Sequence, residues 1–203
     1  MIIKNIEIKP GENKTINLIE SKLSSGTDVS ILAHVYRSKN EGPTLLITGG
    51  IHGDEINGVE VVKRLLSNKR INTKMKGTLI AVPIVNSYGF NRNSRYLPDR
   101  RDLNRCFPGH DKGSLGSQLA NIFMKEIVQK STHGIDLHTG AIHRTNLPQI
   151  RACLDDEETN RLAQAFNVPV LINSNTPDGS LRQAALDKGI PILLFEGGEA
   201  LRY

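Results

Sequence analysis

The sequence contains no tryptophan, and its aromatic content is only 4% of 203 residues. A chain of this length buries a sizeable core, and that core must be built mainly from aliphatic side chains. Hydrophobic residues make up 38% and charged residues 23% of the chain, which are ordinary proportions for a globular domain. This balance excludes a disordered or collagen-like chain, and it predicts a single domain over residues 1–203.

The sequence also lacks a long hydrophobic run. Its first ten residues, MIIKNIEIKP, are interrupted by Lys4, Glu7 and Lys9, so they resemble neither the apolar centre of a signal peptide nor a membrane span. The two cysteines, Cys106 and Cys153, have no CxxC spacing, which is typical of free thiols in a reducing compartment. We therefore expect a cytoplasmic protein without a membrane partner.

Neither of the common glycine-rich phosphate-binding motifs, GxxxxGK[ST] and GxGxxG, occurs in the chain. The formal net charge of +5 is spread along the sequence, and the densest basic stretch, residues 92–105, also contains Asp99 and Asp102. Arginines mixed with acidic and amide residues in a loop are typical of a pocket for small carboxylates rather than of a surface that follows phosphates. We expect no nucleic-acid partner.

From residue 44 onward, short β-branched runs alternate with helical periods. This alternation predicts an α/β fold with a three-layer α/β/α arrangement around a mixed, largely parallel sheet. The first forty residues alternate instead like antiparallel or edge strands, most clearly at residues 30–38. We predict strands at residues 44–48, 78–85, 134–138, 169–172 and 191–196, and helices at residues 57–66, 119–128, 155–166 and 180–188.

One connection, residues 86–113, has neither a helical nor a strand period. It is dense in Asn, Arg, Asp, Pro and Gly. Loops of this length inside compact domains are usually functional. We therefore predict that this long loop contributes side chains to a site.

His52 and Glu55 lie three residues apart where the first predicted parallel strand leads into a helix. A His-x-x-Glu pair alone is weak evidence, because an ordinary polar turn can contain the same residues. Here, however, glycines surround the pair, and it opens a helix at the carboxyl edge of the sheet, where His138 ends another predicted strand. Two histidines and one carboxylate, with a fourth position open to water, are the ligand set of a catalytic zinc site.

Three further carboxylates have predicted places near this site. Glu196 ends the last predicted strand at the same edge, where it is either the general base for a water molecule or an ordinary loop carboxylate. Asp136 and Asp54 are candidate partners behind the histidines. The remaining histidines have no partner spacing, and we predict that none of them binds metal: His34, His110, His133 and His143.

Four ordered segments, GGIHGDE, RYLPDRRDLNRCFPG, IDLHTG and FEGGE, resemble the succinylglutamate desuccinylase/aspartoacylase family, a branch of the carboxypeptidase A-like zinc hydrolases. The resemblance covers roughly residues 40–200 and implies a carboxypeptidase-like (phosphorylase/hydrolase-like) fold. It implies one zinc ion per chain, with His52, Glu55 and His138 as its ligands. It also implies that Glu196 is the general acid and base.

The resemblance assigns roles within the long loop as well. Arg95 matches the arginine that polarises the scissile carbonyl. Asn104 and Arg105 match the pair that binds the substrate carboxylate, and Asp102 would help to hold the loop. The implied reaction is zinc-dependent hydrolysis of the amide bond in an N-acyl amino acid or a similar small amide with a free carboxylate.

Several alternatives stay open. Arg144 and Arg151, after His138, either add a second anion contact or form exposed ion pairs. The protein is otherwise a metallocarboxypeptidase-like peptidase or a non-catalytic relative that keeps the metal. The chain stops at FEGGEALRY, and we expect the β-rich C-terminal domain typical of the family to be absent or truncated. The sequence is also compatible with a homo-oligomer.

Overall fold

The computed structural model of the chain describes residues 1–23, 25–68, 71 and 75–203. Its strands are β1 (Ile2–Ile3), β2 (Ile6–Glu7), β3 (Asn13–Asn17), β4 (Ser21–Lys22), β5 (Asp28–Val29), β6 (Leu32–Arg37), β7 (Thr44–Gly49), β8 (Thr78–Val82), β9 (His133–Gly140), β10 (Asn146–Ala152), β11 (Val170–Asn173) and β12 (Ile192–Glu199). Its helices are α1 (Ile56–Leu66), α2 (Ser87–Phe90), α3 (Leu115–Glu126), α4 (Glu157–Phe166) and α5 (Leu181–Leu186), with 3-10 turns at Leu103–Arg105 and Val128–Lys130. None of these described helices combines the length and the apolar character that crossing a membrane requires.

Eight of the strands form one mixed sheet in the order β11-β10-β12-β9-β7-β8-β6-β3. The central strands β12, β9, β7 and β8 are parallel to one another. β10 joins β12, β6 joins β8 and β3 joins β6 in antiparallel pairs, while β11 is parallel to β10. Because the four central strands run the same way, their carboxyl ends meet at one edge of the sheet. The predicted mixed, largely parallel sheet is confirmed.

Side chains of the central strands alternate between two layers of helices. On one face, Leu46 and Ile192 belong to a hydrophobic cluster that includes residues of α3 and α5. On the other face, Ile47 packs in a cluster with Val62 of α1, and a neighbouring cluster around Leu193 includes a residue of α4. The predicted three-layer arrangement is therefore confirmed, with a mainly aliphatic core.

The predicted strand at residues 78–85 is shorter in the structure and ends at Val82. Pro83 follows, and proline has no N–H group to donate to the ladder. The chain then leaves the sheet, and Val85 donates its N–H to the carbonyl of Gly49 over 3.1 Å. This departure starts the long loop.

Two helices begin slightly later than the sequence predicts, because polar residues cap them. The side chain of Asp156 accepts the N–H of Thr159 ahead of α4, and the side chain of Ser180 accepts the N–H of Gln183 ahead of α5. Such side chains satisfy N–H groups that have no partner within the helix. The first helix ends at Phe166 as predicted, and the second ends at Leu186, two residues before its predicted end.

Two features were not predicted. The segment Asn146–Ala152 forms the sheet strand β10, although its sequence contains Pro148 and several polar residues. The long loop contains the short helix α2 and the 3-10 turn Leu103–Arg105, so it is only partly irregular.

Candidate active site

The turn after β7 holds the first two candidate ligands. β7 ends at Gly49, Gly50 adopts a φ of +59°, and α1 begins directly after Glu55. Glu55 occupies the N-cap position of α1, but its side chain makes no capping hydrogen bond. Its Oε1 atom lies instead 2.7 Å from Nδ1 of His52. The turn therefore brings the predicted pair into direct contact.

The same turn lies against the start of the long loop. Gly53 donates its N–H to the carbonyl of Ser94 over 3.1 Å. A Cβ atom at position 53 would stand 2.0 Å from the carbonyl carbon of Gly89, so only glycine fits there. This close backbone contact between Gly53 and Gly89, which we call the glycine seam, holds the segment that leads to Arg95 next to His52.

His138 completes the cluster from the neighbouring strand β9. Its Nδ1 atom lies 2.8 Å from Oε2 of Glu55 and 3.2 Å from Nδ1 of His52. All three side chains are buried, and their ligand atoms lie within 4.8 Å of one another. Two nitrogens bound to one tetrahedral zinc ion are about 3.3 Å apart. The donor set and its spacing therefore fit zinc.

The outer nitrogens of both histidines face carboxylates. Nε2 of His138 lies 2.7 Å from Oδ2 of Asp136, and Nε2 of His52 lies 3.1 Å from Oδ1 of Asp102. Because an ionised carboxylate only accepts hydrogen bonds, each Nε2 is the donor, and a neutral ring then has its Nδ1 lone pair free for a metal. Asp136 is fully buried, and its Oδ1 accepts the hydroxyl of Thr48 over 2.7 Å. Asp136 thus lies where the sequence predicted it.

The electrostatics of the cluster favour a cation at its centre. Burial alone would lower the pKa of His138, but the charges of Asp136 and Glu55 outweigh burial and raise that pKa well above its usual range. Burial likewise opposes ionisation of Glu55, yet His138 and His52 hold the pKa of Glu55 well below its usual range. In the free protein, a proton therefore supplies the positive charge that a metal ion would bring.

Asp54 does not take the place that the sequence predicted for it. It is buried, yet among the described residues it makes no side-chain hydrogen bond to either histidine, and its Oδ1 has no partner. Burial raises the pKa of its carboxyl. The turn sets Asp54 beside the end of the chain, where its carbonyl accepts the N–H of Leu201 over 2.8 Å. Asp102 occupies the position behind His52 instead.

Asp102 links the long loop to the cluster. Its Oδ2 accepts Nη2–H of Arg95 over 2.9 Å, and its Oδ1 accepts the N–H of Asn104 over 2.8 Å. Burial alone would raise the pKa of Asp102, but the hydrogen bond from His52 and the charge of Arg95 hold it well below its usual range. Nη1 of Arg95 also lies 3.4 Å from Oε1 of Glu55. Asp102 therefore holds Arg95 beside the cluster.

A pocket of about 290 Å³ adjoins the cluster. Arg151 lines it, so the structure favours the pocket over an exposed ion pair for this residue. Asn104 is buried, and its Oδ1 accepts the N–H of Leu181 over 2.9 Å, which ties the long loop to α5. The pocket is also lined by the eight residues proposed from the sequence as metal ligands, catalytic groups or substrate-binding groups: His52, Glu55, Arg95, Asn104, Arg105, His138, Arg144 and Glu196.

Arg182, in α5, lines the same pocket and was not predicted. It is only 6% exposed, which is rare for arginine. Its Nη1 donates to the carbonyl of Arg151 over 3.0 Å, but within the described residues its Nε has no partner. Burial lowers the pKa of this guanidinium. A single arginine in a helical period has no spacing that would identify it from the sequence.

Glu196 lies where β12 becomes irregular. The strand pairs with β9 up to Glu196 opposite His138, and pairing resumes at Glu199 opposite Gly140, so the strand runs past its predicted end at residue 196. Gly198 adopts a φ of +80° within this irregular stretch. Burial raises the pKa of the Glu196 carboxyl. A carboxyl group with a raised pKa is suited to transferring protons near neutral pH.

The other histidines stay outside the cluster. Among the described residues, the side chains that could share a metal ion form the group His52, Glu55 and His138. Nδ1 of His34 lies 3.0 Å from the hydroxyl of Thr15. His34, His110, His133 and His143 are not members of this group.

A larger cavity of about 590 Å³ lies between β6, the end of α1 and α2. It shares no lining residue with the pocket at the cluster, and neither arginine nor glutamate lines it. Convergent polar groups with perturbed pKa values mark a reactive site better than volume does. The smaller pocket is therefore the candidate active site.

Known proteins resemble this chain over most of its length. A sequence model of the succinylglutamate desuccinylase/aspartoacylase catalytic domain matches residues 41–203. The chain is 36% identical over 140 residues to N-alpha-acetyl-L-2,4-diaminobutyric acid deacetylase of Halomonas elongata, a match that covers 66% of this chain and 41% of that protein. It is 29% identical over 121 residues to succinylglutamate desuccinylase of Pseudomonas aeruginosa, covering 55% of this chain and 35% of that protein. The matches thus span less than half the length of these relatives.

A solved structure supports the same likeness. A succinylglutamate desuccinylase/aspartoacylase from Rhodobacter sphaeroides aligns with a TM-score of 0.83 and 26% sequence identity. The alignment covers 98% of this chain and 62% of that chain. The whole described sheet and its helices therefore have a counterpart in a known fold.

Proposed function

Because the chain belongs to the succinylglutamate desuccinylase/aspartoacylase family, we propose that it is a zinc-dependent amidohydrolase that cleaves the amide bond of an N-acyl amino acid. One observation carries the proposal. Two histidine Nδ1 atoms and the Glu55 carboxylate converge in the pocket that Arg95 and Glu196 also line. The relatives support the substrate class, because both are named for removing an acyl group from an amino acid.

The proposed zinc ligands are Nδ1 of His52, Nδ1 of His138 and the carboxylate of Glu55. When bound, one zinc ion per chain supplies a Lewis acid that activates water and polarises a carbonyl group. Asp102 and Asp136 fix both rings by accepting their Nε2 protons. The rings are therefore oriented before the metal arrives, which favours tight binding.

Glu196 is the proposed proton carrier. It accepts a proton from the attacking water and returns it to the nitrogen of the leaving group, which then departs as a neutral amine rather than as an anion. Burial raises the pKa of Glu196, which brings the proton affinity of its carboxylate closer to that needed near neutral pH. General acid and base catalysis of this kind contributes about 10²- to 10⁴-fold to rate.

Arg95 is the proposed stabiliser of the negative charge that develops on the carbonyl oxygen. Its guanidinium stands 3.4 Å from Glu55 Oε1, beside the cluster, and Asp102 holds it there through two hydrogen bonds. A donor fixed in advance stabilises developing charge without having to reorganise during the reaction.

The arginines of the pocket favour a substrate that bears a carboxylate. Asn104, Arg105 and Arg144 are the proposed binding residues, and Arg151 and Arg182 add positive charge to the same lining. Guanidinium groups match carboxylates in charge and in planar geometry. The pocket volume of about 290 Å³ suits a small molecule.

The test is a hydrolysis assay on the purified chain with known zinc content. The panel contains N-succinyl-L-glutamate, N-acetyl-L-aspartate, Nα-acetyl-L-2,4-diaminobutyrate and short peptides. We expect turnover of at least one N-acyl amino acid, its loss on chelation, and its return with zinc. His52→Ala should abolish both zinc binding and turnover. Cleavage of peptides alone would support a metallocarboxypeptidase-like enzyme, and zinc binding without any turnover would support a non-catalytic relative.

A further inference from the structure

β10 and β12 are out of regular register beside Glu196. Gln149 pairs with Glu196, but Asn146 pairs with Gly198, so β10 advances three residues while β12 advances two. In an uninterrupted antiparallel ladder, Asn146 would face Glu199. The irregularity shifts the pairing by one residue, and such a shift moves a side chain to the other face of a sheet. Asn146 therefore pairs with Gly198, two residues along β12 from Glu196, and lines the same pocket as Glu196.

Asn146 uses this position to contact Glu196 directly. Its Nδ2 atom lies 2.6 Å from Oε2 of Glu196. An ionised carboxylate has no proton to donate, so the amide is the donor, and a hydrogen bond to a charged acceptor is among the stronger kinds. Both side chains line the pocket at the cluster. Pro148, which lacks an N–H, lies within the irregular stretch of β10, where proline is tolerated.

The neighbouring loop is fixed by the same segment of β12. Glu199 accepts the N–H of His143 over 3.0 Å and the hydroxyl of Thr145 over 3.1 Å. These bonds hold the connection from β9 directly ahead of Asn146. The amide of Asn146 is therefore held in two ways, by the pairing of β10 with β12 and by the hydrogen bonds that Glu199 accepts from the preceding loop.

We propose that Asn146 is a positioning residue, which holds Oε2 of Glu196 and leaves Oε1 to exchange the proton with water and amine. This inference rests on the proposed function of Glu196. The charged groups that act on Glu196 include His138 on β9, Glu55 ahead of α1, Arg151 on β10 and Arg182 on α5. Unlike these charged groups, Asn146 is brought into contact with the Glu196 carboxylate by the register shift.

Activity measurements on two variants test the proposal. Asn146→Asp preserves the shape but replaces the donor with a like charge, and Asn146→Ala removes it. We expect kcat to fall by about 10- to 100-fold, more for Asp than for Ala, because part of the benefit of a placed proton carrier is lost. KM should stay within about twofold and zinc content should be unchanged, whereas a purely structural role would change them together with stability. Gln164→Glu, an exposed amide-to-acid change in α4, controls for added charge.

A measurement independent of activity protects the test from misfolded variants. In the metal-free wild type, we expect the Nδ2–H signals of Asn146 in a ¹H–¹⁵N spectrum to be shifted by the carboxylate and to return toward free-amide values in Glu196→Ala. Unchanged signals, or an Asn146→Asp variant with wild-type kcat, would overturn the proposal. If the wild type hydrolyses no N-acyl amino acid, the proposed function fails, but the spectrum still reports whether the bond exists.

Discussion

The substitution Asp136→Asn should weaken the proposed metal site without disrupting the fold. In the wild type, Asp136 accepts hydrogen bonds from Thr48 and from Nε2 of His138, both over 2.7 Å. The asparagine can still accept from Thr48 through Oδ1, but its NH₂ group then faces Nε2 of His138. That nitrogen must become the acceptor, so the ring loses its Nε2 proton and keeps only the proton on Nδ1, the atom that a metal would need.

The metal-free variant should remain well folded. Nδ1 of His138 lies 2.8 Å from Oε2 of Glu55, so the Nδ1 proton keeps its acceptor and no buried polar group loses its hydrogen-bond partner. Asp136→Ala, by contrast, leaves both the Thr48 hydroxyl and the Nε2–H of His138 without a partner. Each buried polar group without a hydrogen-bond partner costs about 1–3 kcal/mol, so the free energy of unfolding of that variant should fall by about 2–6 kcal/mol.

Zinc binding is where Asp136→Asn should fail. Ligation at Nδ1 forces the proton of His138 back to Nε2, against the amide NH₂ group, or forces the amide to rotate and deprive the Thr48 hydroxyl of its acceptor. Either outcome loses one buried hydrogen bond, so zinc affinity should fall about 10- to 100-fold. If the Thr48 hydroxyl is what resists rotation, adding Thr48→Val to Asp136→Asn should recover part of the affinity.

Two measurements decide the matter: urea unfolding of the metal-free proteins, and zinc affinity by competition with a chromophoric chelator. Thr44→Val, a buried threonine earlier in β7, is the control for loss of a hydroxyl. Zinc affinity of Asp136→Asn within a factor of two of the wild type would refute the tautomer argument. So would a metal-free Asp136→Asn as unstable as Asp136→Ala.

Three further predictions follow from the same geometry. Glu196→Gln should lower kcat about 10²- to 10⁴-fold with zinc retained, and in the wild type the acid limb of the pH–kcat profile should lie above the usual glutamate range, because burial raises the pKa of Glu196. The pKa of Glu196 is higher in the folded than in the unfolded protein, so the stability that the protonated carboxyl contributes is lost as pH rises through the folded pKa. Metal-free Glu196→Gln should therefore resist urea better than the wild type at neutral pH but not at pH 4. Gly198→Ala should lower the free energy of unfolding by at least about 1–2 kcal/mol in urea, because Gly198 has a φ of +80° and an added Cβ would lie 2.6 Å from Nδ2 of Asn57. Gly189→Ala is the control, because Gly189 has a φ of +70° and open space around it, so it measures the backbone strain alone. Equal losses in the two variants would show that the contact with Asn57 contributes nothing. Arg182→Gln should raise KM for carboxylate-bearing substrates about tenfold or more, and Arg182→Lys less, in steady-state assays; an unchanged KM would remove this arginine from the binding role.

The strands that sequence predicted best are those that the fold buries on both faces. Residues 44–48 and 191–196 are aliphatic runs at the centre of the parallel sheet, so composition and position agree. β10 could not be predicted in the same way, because it contains Pro148 and exposes Leu147. Its pairing depends on β11 and β12 on either side, and partners of that kind are not visible in a local pattern.

The site residues, like the strands, could be predicted where the signal is local in sequence. His52 and Glu55 could be predicted, because one turn holds both and glycines surround them. Asp102 lies 50 residues away from His52 along the chain, and only the folded loop brings them to 3.1 Å. Asp54, which is adjacent to Glu55 in sequence, makes no side-chain hydrogen bond to either histidine among the described residues, and its backbone carbonyl accepts the N–H of Leu201. Proximity in sequence was a good guide to the two ligands of one turn and to Asp136 behind His138, but a poor guide to the carboxylate behind His52.

The glycine seam has a consequence for directed evolution of this protein. A Cβ atom at Gly53 would lie 2.0 Å from the carbonyl carbon of Gly89, and a Cβ atom at Gly89 would lie 2.6 Å from the carbonyl oxygen of Ser94, so a library at either position should return mainly inactive clones. Arg105 and Arg144 are exposed and line the pocket from loops, so they can be randomised without disturbing that contact. Substrate range should therefore be evolvable at the rim of the pocket, while the turn that carries His52 and Glu55 keeps its contact with the long loop.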